Sequence, residues 1–235
     1  MFRPTSLPLK RTIVLFAGGI AGVFAVLPHP LSHLGEFFGE VVVIGISASA
    51  GTYLTSRAGL RSPALDAALA GRPLRPNMAL AVQAIGAGIV ITLMLIIADA
   101  ALFTPSLTAA QLSAPPAPVW TGALYALYGG LFEEVVFHYG LLAAFVFLAQ
   151  LLLPGTPSYW VAITVSSLAL GLFHLVNAAA LLPLTALVVT RTLVVGTAGG
   201  IASGWLYWRR GLEAAMVAHG IMSLGLHVAA PGAFG

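Results

Sequence analysis

Apolar stretches of membrane-spanning length recur along this chain, at residues 12–28, 36–56, 78–103, 119–153, 158–181, 183–208 and 211–230. A helix needs about 20 consecutive apolar residues to cross the hydrocarbon core of a bilayer, so the pattern predicts seven spans. Inside lipid every backbone N–H and C=O must find a partner within the protein, which leaves helices and closed barrels. Barrel strands would alternate polar and apolar residues, whereas these runs are uniformly apolar. The expected fold is an all-α polytopic transmembrane bundle, a single integral membrane domain over residues 1–235. Composition agrees. Charged residues make up 7% of the chain and hydrophobic ones 59%, against roughly 25% charge in soluble domains.

The same composition excludes several classes of function. With no cysteine there is no disulfide framework, iron–sulfur cluster or thiol nucleophile. The pI near 9.6 comes from ten basic residues, and no Lys/Arg cluster interleaved with aromatics points to a nucleic acid. In a membrane protein such residues mark cytoplasmic loops. With the N-terminus inside, Arg3, Lys10, Arg11, Arg57, Arg61, Arg72, Arg75, Arg209 and Arg210 share one side, while the uncharged 104–118 loop and the His29–Gly35 loop lie on the other. Only Arg191 falls within a span. The basic segment Met1–Arg11 reads as the start of a retained first helix, since no small-residue cleavage site follows it. Short loops and heavy Ala/Gly/Arg usage suit a bacterial inner membrane.

Against this apolar background the polar residues stand out. Glu133 and Glu134 are adjacent in Leu131-Phe132-Glu133-Glu134-Val135-Val136-Phe137-His138, and His138 follows Glu134 at i,i+4. A carboxylate at membrane depth costs several kcal/mol, so such residues are functional candidates by default. His174 lies in the fifth span and His219 in the seventh. One Glu and two His converging from three helices could activate a water for nucleophilic attack, by general-base catalysis or through a metal. His29 and His33 read as solvated loop residues, and His227, two turns beyond His219, as interfacial. Glu36 and Glu40 open the second span near a helix N-terminus, which favours negative charge. Asp99 reads as a structural residue near the outer end of the third span. Arg191 reads as structural too, with three alternatives: snorkelling, pairing with an acid, or holding a substrate carbonyl.

Three ordered segments resemble the CPBP (Abi, CAAX-protease) family of intramembrane proteases. Glu133-Glu134-Val135-Val136-Phe137-His138 resembles its Glu-Glu-x-x-x-Arg motif, with His138 in the arginine position. Leu170 to His174 is similar to Phe-x-x-x-His, with Leu170 for Phe. His219 to Ser223 is similar to His-x-x-x-Asn, with Ser223 for Asn. The small-residue run Gly196 to Gly204 precedes the last motif, and the likeness covers about 119–230 as a catalytic core. The resemblance implies a membrane endopeptidase in which Glu133 is the general base. His174 and His219 would position the water or the oxyanion, Glu134 would support Glu133, and Ser223 would replace the oxyanion donor. His138 can bond Glu134 and, when protonated, replace the arginine's charge. Asn177 joins His138 as a supporting residue.

The family has been described both as metal-dependent and as glutamate-dependent. A carboxylate pair suits base chemistry, so the expectation is that no cofactor is required. The alternative is a divalent metal such as zinc on Glu133, His174 and His219, with an open fourth position. The expected partners are the bilayer and a membrane-anchored protein or peptide, prenylated or otherwise lipidated. Three other readings compete. A bis-histidine haem or quinone protein would use His174 and His219 but leaves the Glu pair unused. A proton-coupled transporter would show internal repeats, and none is evident. A weakened protease homologue acting in bacteriocin immunity is the third.

Helix rise adds a constraint on depth. At about 1.5 Å per residue, Glu133 lies about 21 Å from Val119, while 119–153 as one α-helix would measure about 50 Å against a core of about 30 Å. A break near Gly140, or a protruding hairpin over Tyr139–Trp160, is therefore expected. It would bring His174 to the level of Glu133 and open the site toward the cytoplasm.

Overall fold

The computed structural model describes residues 6–26, 33–73, 78–106, 118–181 and 183–229. His29 and Arg75 lie outside these residues, as does most of the 104–118 loop. The described chain is helical: α1 (Ser6–Val26), α2 (Leu34–Leu54), α3 (Pro63–Leu69), α4 (Met78–Leu102), a 3-10 turn (Thr104–Ser106), α5 (Val119–Leu127), a π-helical segment (Tyr128–Leu142), α6 (Ala143–Ala149), α7 (Thr156–Leu181), α8 (Ala186–Arg210) and α9 (Leu212–Ala229). Among the described residues, six helices are long and apolar enough to cross a membrane. The seventh expected span is the shorter apolar helix Leu212–Val228.

The continuous rod formed by α5, the π segment and α6 is the axis of the bundle. Two-thirds of its apolar window (67%) is buried, against 17–33% for the other spans. Helices α1, α2, α7 and α9 pack around its π segment. Tyr139, Leu142, Ile163, Leu206, Tyr207 and Leu212 meet Val23, Ile44 and Ala48 in the main core. Without a hydrophobic drive between helices in lipid, close backbone approach supplies the packing. A Cβ on Gly51 of α2 would lie 2.2 Å from the Tyr139 ring, and one on Gly140 would lie 2.6 Å from Ser47 Cβ. Between α7 and α8, a Cβ on Gly200 would lie 2.9 Å from Ser167 Cβ, and one on Gly196 would lie 3.0 Å from the His174 ring. Gly196 and Gly200 of the small-residue run of α8 thus face α7, while Gly199 faces Met222 of α9.

The expected break at Gly140 is absent. The helix runs through Gly140 to Ala149, and only Gln150–Gly155 forms the turn into α7. The excess length is absorbed differently: a π-helix takes more residues per turn and rises less per residue. Glu133 and His174 lie at similar distances along the chain from this tight turn, so the antiparallel hairpin alone brings them level.

The connector 57–77 also holds more order than a loop. Pro63 occupies the first turn of α3, where its missing N–H costs nothing. Arg11 pairs with Asp66 of α3, so the basic start of α1 is clamped rather than solvated. Glu213 Oε1 accepts from the Leu65 N–H (2.8 Å) and the Arg61 carbonyl from the Leu212 N–H (3.1 Å), which fastens α3 to the start of α9.

Candidate active site

Three helical elements bring the sequence candidates together. Glu133, Glu134 and His138 project from the π segment, His174 from α7, and His219 and Ser223 from α9. Five of these side chains form an alternating chain. His138 Nε2–H donates to the Gly200 carbonyl (3.0 Å) while Nδ1 lies 3.1 Å from Glu134 Oε1, off-line for a hydrogen bond. The same Glu134 Oε1 accepts from His219 Nδ1–H (2.7 Å). His219 Nε2 lies 3.1 Å from Glu133 Oε2, and His174 Nε2 lies 3.8 Å from that oxygen.

Each ring nitrogen of His219 therefore faces a carboxylate oxygen. Carboxylates only accept, so the cluster is satisfied when both nitrogens carry protons. Buried charges demand such pairing, because an isolated one costs far more than its neutral form.

The two glutamates differ in what they can reach. Glu134 and His138 are fully buried (0% exposed), beneath the rest of the cluster. Glu133 lines a cavity of about 210 Å³, which also touches His174, Asn177 and Ser223, and the His174 side chain is 35% exposed. A 3.8 Å polar gap invites a bridging water, and a cavity of this volume has room for one.

Gly129 makes the site's tightest approach possible. A Cβ there would lie 2.5 Å from Ser223 Oγ and 3.2 Å from His219 Nε2. Hence α9 can bring both side chains against the π segment only where that segment has no side chain. Ser223 sits one turn beyond His219 in the cavity wall, as its spacing predicts. Asn177 is exposed at the cavity's rim.

Several residues take parts that their sequence reading did not give them. His227 is not merely interfacial: it lines the cavity, its Nδ1–H donates to the Ser223 carbonyl (2.7 Å), and it stacks on Tyr125 with centroids 4.1 Å apart. Its i,i+8 relation to His219 was the available signal. Glu40 turns inward to accept from the Tyr128 hydroxyl (3.0 Å), so of the two acids opening α2 only Glu36 stays exposed, 3.5 Å from His33. Asp99 and Arg191 form a buried two-pronged ion pair, Nε to Oδ1 at 2.5 Å and Nη2 to Oδ2 at 3.1 Å. The Thr104 hydroxyl also donates to Asp99 Oδ2 (3.3 Å). Pairing with an acid is thus the alternative realised for Arg191, and the residue also lines the cavity.

The direction of the cavity departs from the sequence expectation. Its walls come from the start of α5 (Tyr125), the end of α7 (Asn177), the start of α8 (Arg191) and the end of α9 (His227). These helix ends are the ones away from the arginine-bearing loops. On the arginine side, fully buried Glu134, His138, Ser166 and Ser167 close the site.

Among the described residues, no group of three His, Cys, Asp or Glu side chains is arranged to hold a metal ion. Residues 115–225 match the family described as Rce1-like, type II CAAX prenyl endopeptidase. No curated protein and no solved structure matches the chain.

Proposed function

Residues 115–225 place this chain in the Rce1-like family of type II CAAX prenyl endopeptidases, and from that premise we propose that it hydrolyses a peptide bond in a membrane-anchored, lipidated protein by a glutamate-activated water. The observation that carries the reading is the asymmetry of the carboxylate pair: Glu133 meets the cavity and His174, while Glu134 is sealed.

In the proposed reaction a water held between Glu133 Oε2 and His174 Nε2 gives its proton to Glu133 as its oxygen attacks the scissile carbonyl. The carbonyl π electrons move to oxygen, and the resulting oxyanion is met by an N–H of His174 or the Ser223 hydroxyl. Collapse of the tetrahedral intermediate breaks the C–N bond, and the proton on Glu133 passes to the departing amine. General acid–base transfer of this kind contributes about 10²–10⁴-fold, and a preorganised donor at the oxyanion about 10²–10³-fold more. Glu134 acts through His219: the 2.7 Å bond fixes the ring and turns its other nitrogen toward Glu133. His138, tied to the Gly200 carbonyl, props Glu134 from behind.

The bis-histidine haem reading has less support, because both nitrogens of His219 face carboxylates. The test is cleavage of a farnesylated CAAX peptide by the purified protein in liposomes. Wild type cleaves and Glu133→Gln does not. Chelator treatment, with metal analysis of the same sample, leaves the rate unchanged if the water is activated by glutamate alone; loss with chelator and recovery with zinc would move the mechanism to a metal.

A further inference from the structure

A second cavity, of about 440 Å³, shares no lining residue with the one at Glu133. Gly59, Arg61, Trp205, Trp208, Arg209 and Arg210 line it. Its volume falls within the range of about 300–1,000 Å³ typical of ligand pockets. Three guanidinium groups face one concavity, and among its described lining residues there is no carboxylate.

Like charges repel, so the fold has to hold these arginines together. Trp205, Trp208 and Arg209 are spaced i, i+3, i+4 and share one face of the last turns of α8. Arg209 lies over the Trp208 ring, 5.2 Å from its centroid. Gly59 has φ +69°, a left-handed conformation that glycine adopts without steric cost. The Tyr159 hydroxyl donates to the Ala58 carbonyl (2.9 Å), and a Cβ on Gly59 would lie 2.7 Å from that hydroxyl. Tyr159 in turn stacks on Trp208 (4.7 Å). Arg61 is fixed through its carbonyl, which accepts from the Leu212 N–H (3.1 Å). Gly211, at φ +105°, turns the chain out of α8 beside it, and a Cβ there would lie 3.3 Å from the Arg61 carbonyl oxygen. The α2–α3 connection and the α8–α9 turn are thus clamped to each other around the cavity. Arg209 and Arg210 alone could be explained as cations in the last turn of a helix, which its dipole favours. That account leaves out Arg61, which reaches the same cavity from another segment.

The cavity also sits at a defined level. Helices α2 and α8 both end beside it, after the apolar windows Leu34–Leu54 and Ala186–Arg210. Tryptophans concentrate where hydrocarbon gives way to headgroups, and Trp160 stands edge-on to Trp208 here (6.0 Å). The anions found at that level are lipid phosphates. Guanidinium forks match phosphate oxygens in two-pronged fashion, and basic pockets between transmembrane helices hold anionic headgroups. A zwitterionic headgroup would bring its ammonium to a lining that offers no carboxylate to receive it.

We propose that this cavity is a binding site for an anionic phospholipid without a headgroup amine, of the phosphatidylglycerol or cardiolipin class. Arg61, Arg209 and Arg210 take the phosphate oxygens, and the indoles of Trp205 and Trp208 lie against the glycerol and the first carbons of the chains. The site stands apart from the endopeptidase reading and keeps its ligand whether or not any peptide is cleaved.

The full-length protein in detergent is titrated with phosphatidylglycerol and with phosphatidylcholine of the same acyl chains, and bound lipid is counted by native mass spectrometry. Wild type is expected to prefer phosphatidylglycerol. One basic residue beside anionic lipid is worth about fivefold in affinity, so Arg61→Gln, Arg209→Gln and Arg210→Gln each lose about fivefold and the triple variant about 100-fold. A control triple, Lys10→Gln, Arg57→Gln and Arg72→Gln, removes the same charge from exposed positions outside the cavity and leaves the affinity as in wild type. An equal loss in the control would reduce the effect to diffuse surface charge and overturn the site. Equal affinity of wild type for the two lipids would overturn the requirement for an anionic headgroup. Displacement of phosphatidylglycerol by inorganic phosphate at millimolar concentration would overturn the lipid as occupant and leave a site for a free anion. Should the triple variant fail to fold, the three single variants carry the same test, and unchanged affinity in all of them would overturn the assignment.

Discussion

Glu133 and Glu134 are neighbours in sequence, yet they belong to different regions of the molecule. One region is open: Glu133, His174, Ser223 and the cavity walls. The other is sealed: Glu134, His138 and the Gly200 carbonyl, with no exposure at the first two. His219 joins them, one nitrogen to each carboxylate. The difference teaches that a paired carboxylate in lipid divides its labour by reach. The open member can exchange protons with a water, and the sealed member can only hold a ring in place.

The comparison breaks most readily at Glu133. Glu133→Gln keeps the shape and removes the proposed base, and a loss of about 10²–10⁴-fold in kcat is expected, measured on the lipidated peptide. Full retained activity would end the assignment. At the sealed member the expected damage shifts from rate to stability. Glu134→Ala leaves His219 Nδ1 buried without its acceptor and His138 without the carboxylate beside it, and breaking a buried pair in this way costs about 3–5 kcal/mol. Thermal unfolding in detergent should show it, with a larger fall in Tm than for Glu133→Gln. Equal falls for the two would erase the distinction between the regions.

Smaller effects sharpen it. Gly129→Ala places a methyl where Ser223 Oγ and His219 stand; overpacking costs about 1–3 kcal/mol, and kcat on the lipidated peptide should fall. His138→Arg restores the residue usual in the motif. The ring is fully buried, and a Cβ on Gly204 would already lie 3.3 Å from it. The longer side chain is expected to lower Tm by a similar overpacking cost, about 1–3 kcal/mol; an unchanged or raised Tm would show that the space adapts. Smallest of all, Tyr128→Phe removes the hydrogen bond to Glu40 and should cost about 1 kcal/mol, with little effect on rate.

Much of this arrangement was legible in the sequence, for identifiable reasons. Apolar runs near 20 residues report spans because lipid permits few alternatives. The three polar segments in separate spans announced their convergence, since each would be costly alone. The i,i+4 relation of Glu134 and His138 gave their contact directly. A break near Gly140 was expected because depth was counted at the α-helical rise along a rod that is partly π-helical. That substitution leaves no mark in hydrophobic periodicity when nearly every position is apolar. The pairing of Asp99 with Arg191 joins residues far apart in the chain, and either could as well have met water or headgroups. For Glu40 the sequence offered only its position near a helix start, and only the tertiary approach of Tyr128 draws it inward. For α3 the signal was present in Pro63, but a short helix among arginines and prolines resembles a connector.

The π-helical segment has a further consequence, for the thickness of the membrane this protein inhabits. An α-helix of the 30 residues Trp120–Ala149 would measure about 45 Å, well beyond a hydrocarbon core of about 30 Å. Rods that overshoot usually tilt, kink or thicken the bilayer around them. Tilting is closed to a rod that serves as the axis for its neighbours, because they would have to lean with it. Winding the central turns more loosely takes up part of the mismatch in place, within the element that carries both carboxylates. Bilayer thickness and active-site geometry are therefore coupled through one helix, and lipids with longer or shorter acyl chains should act on this protein at its chemistry before they act on its fold.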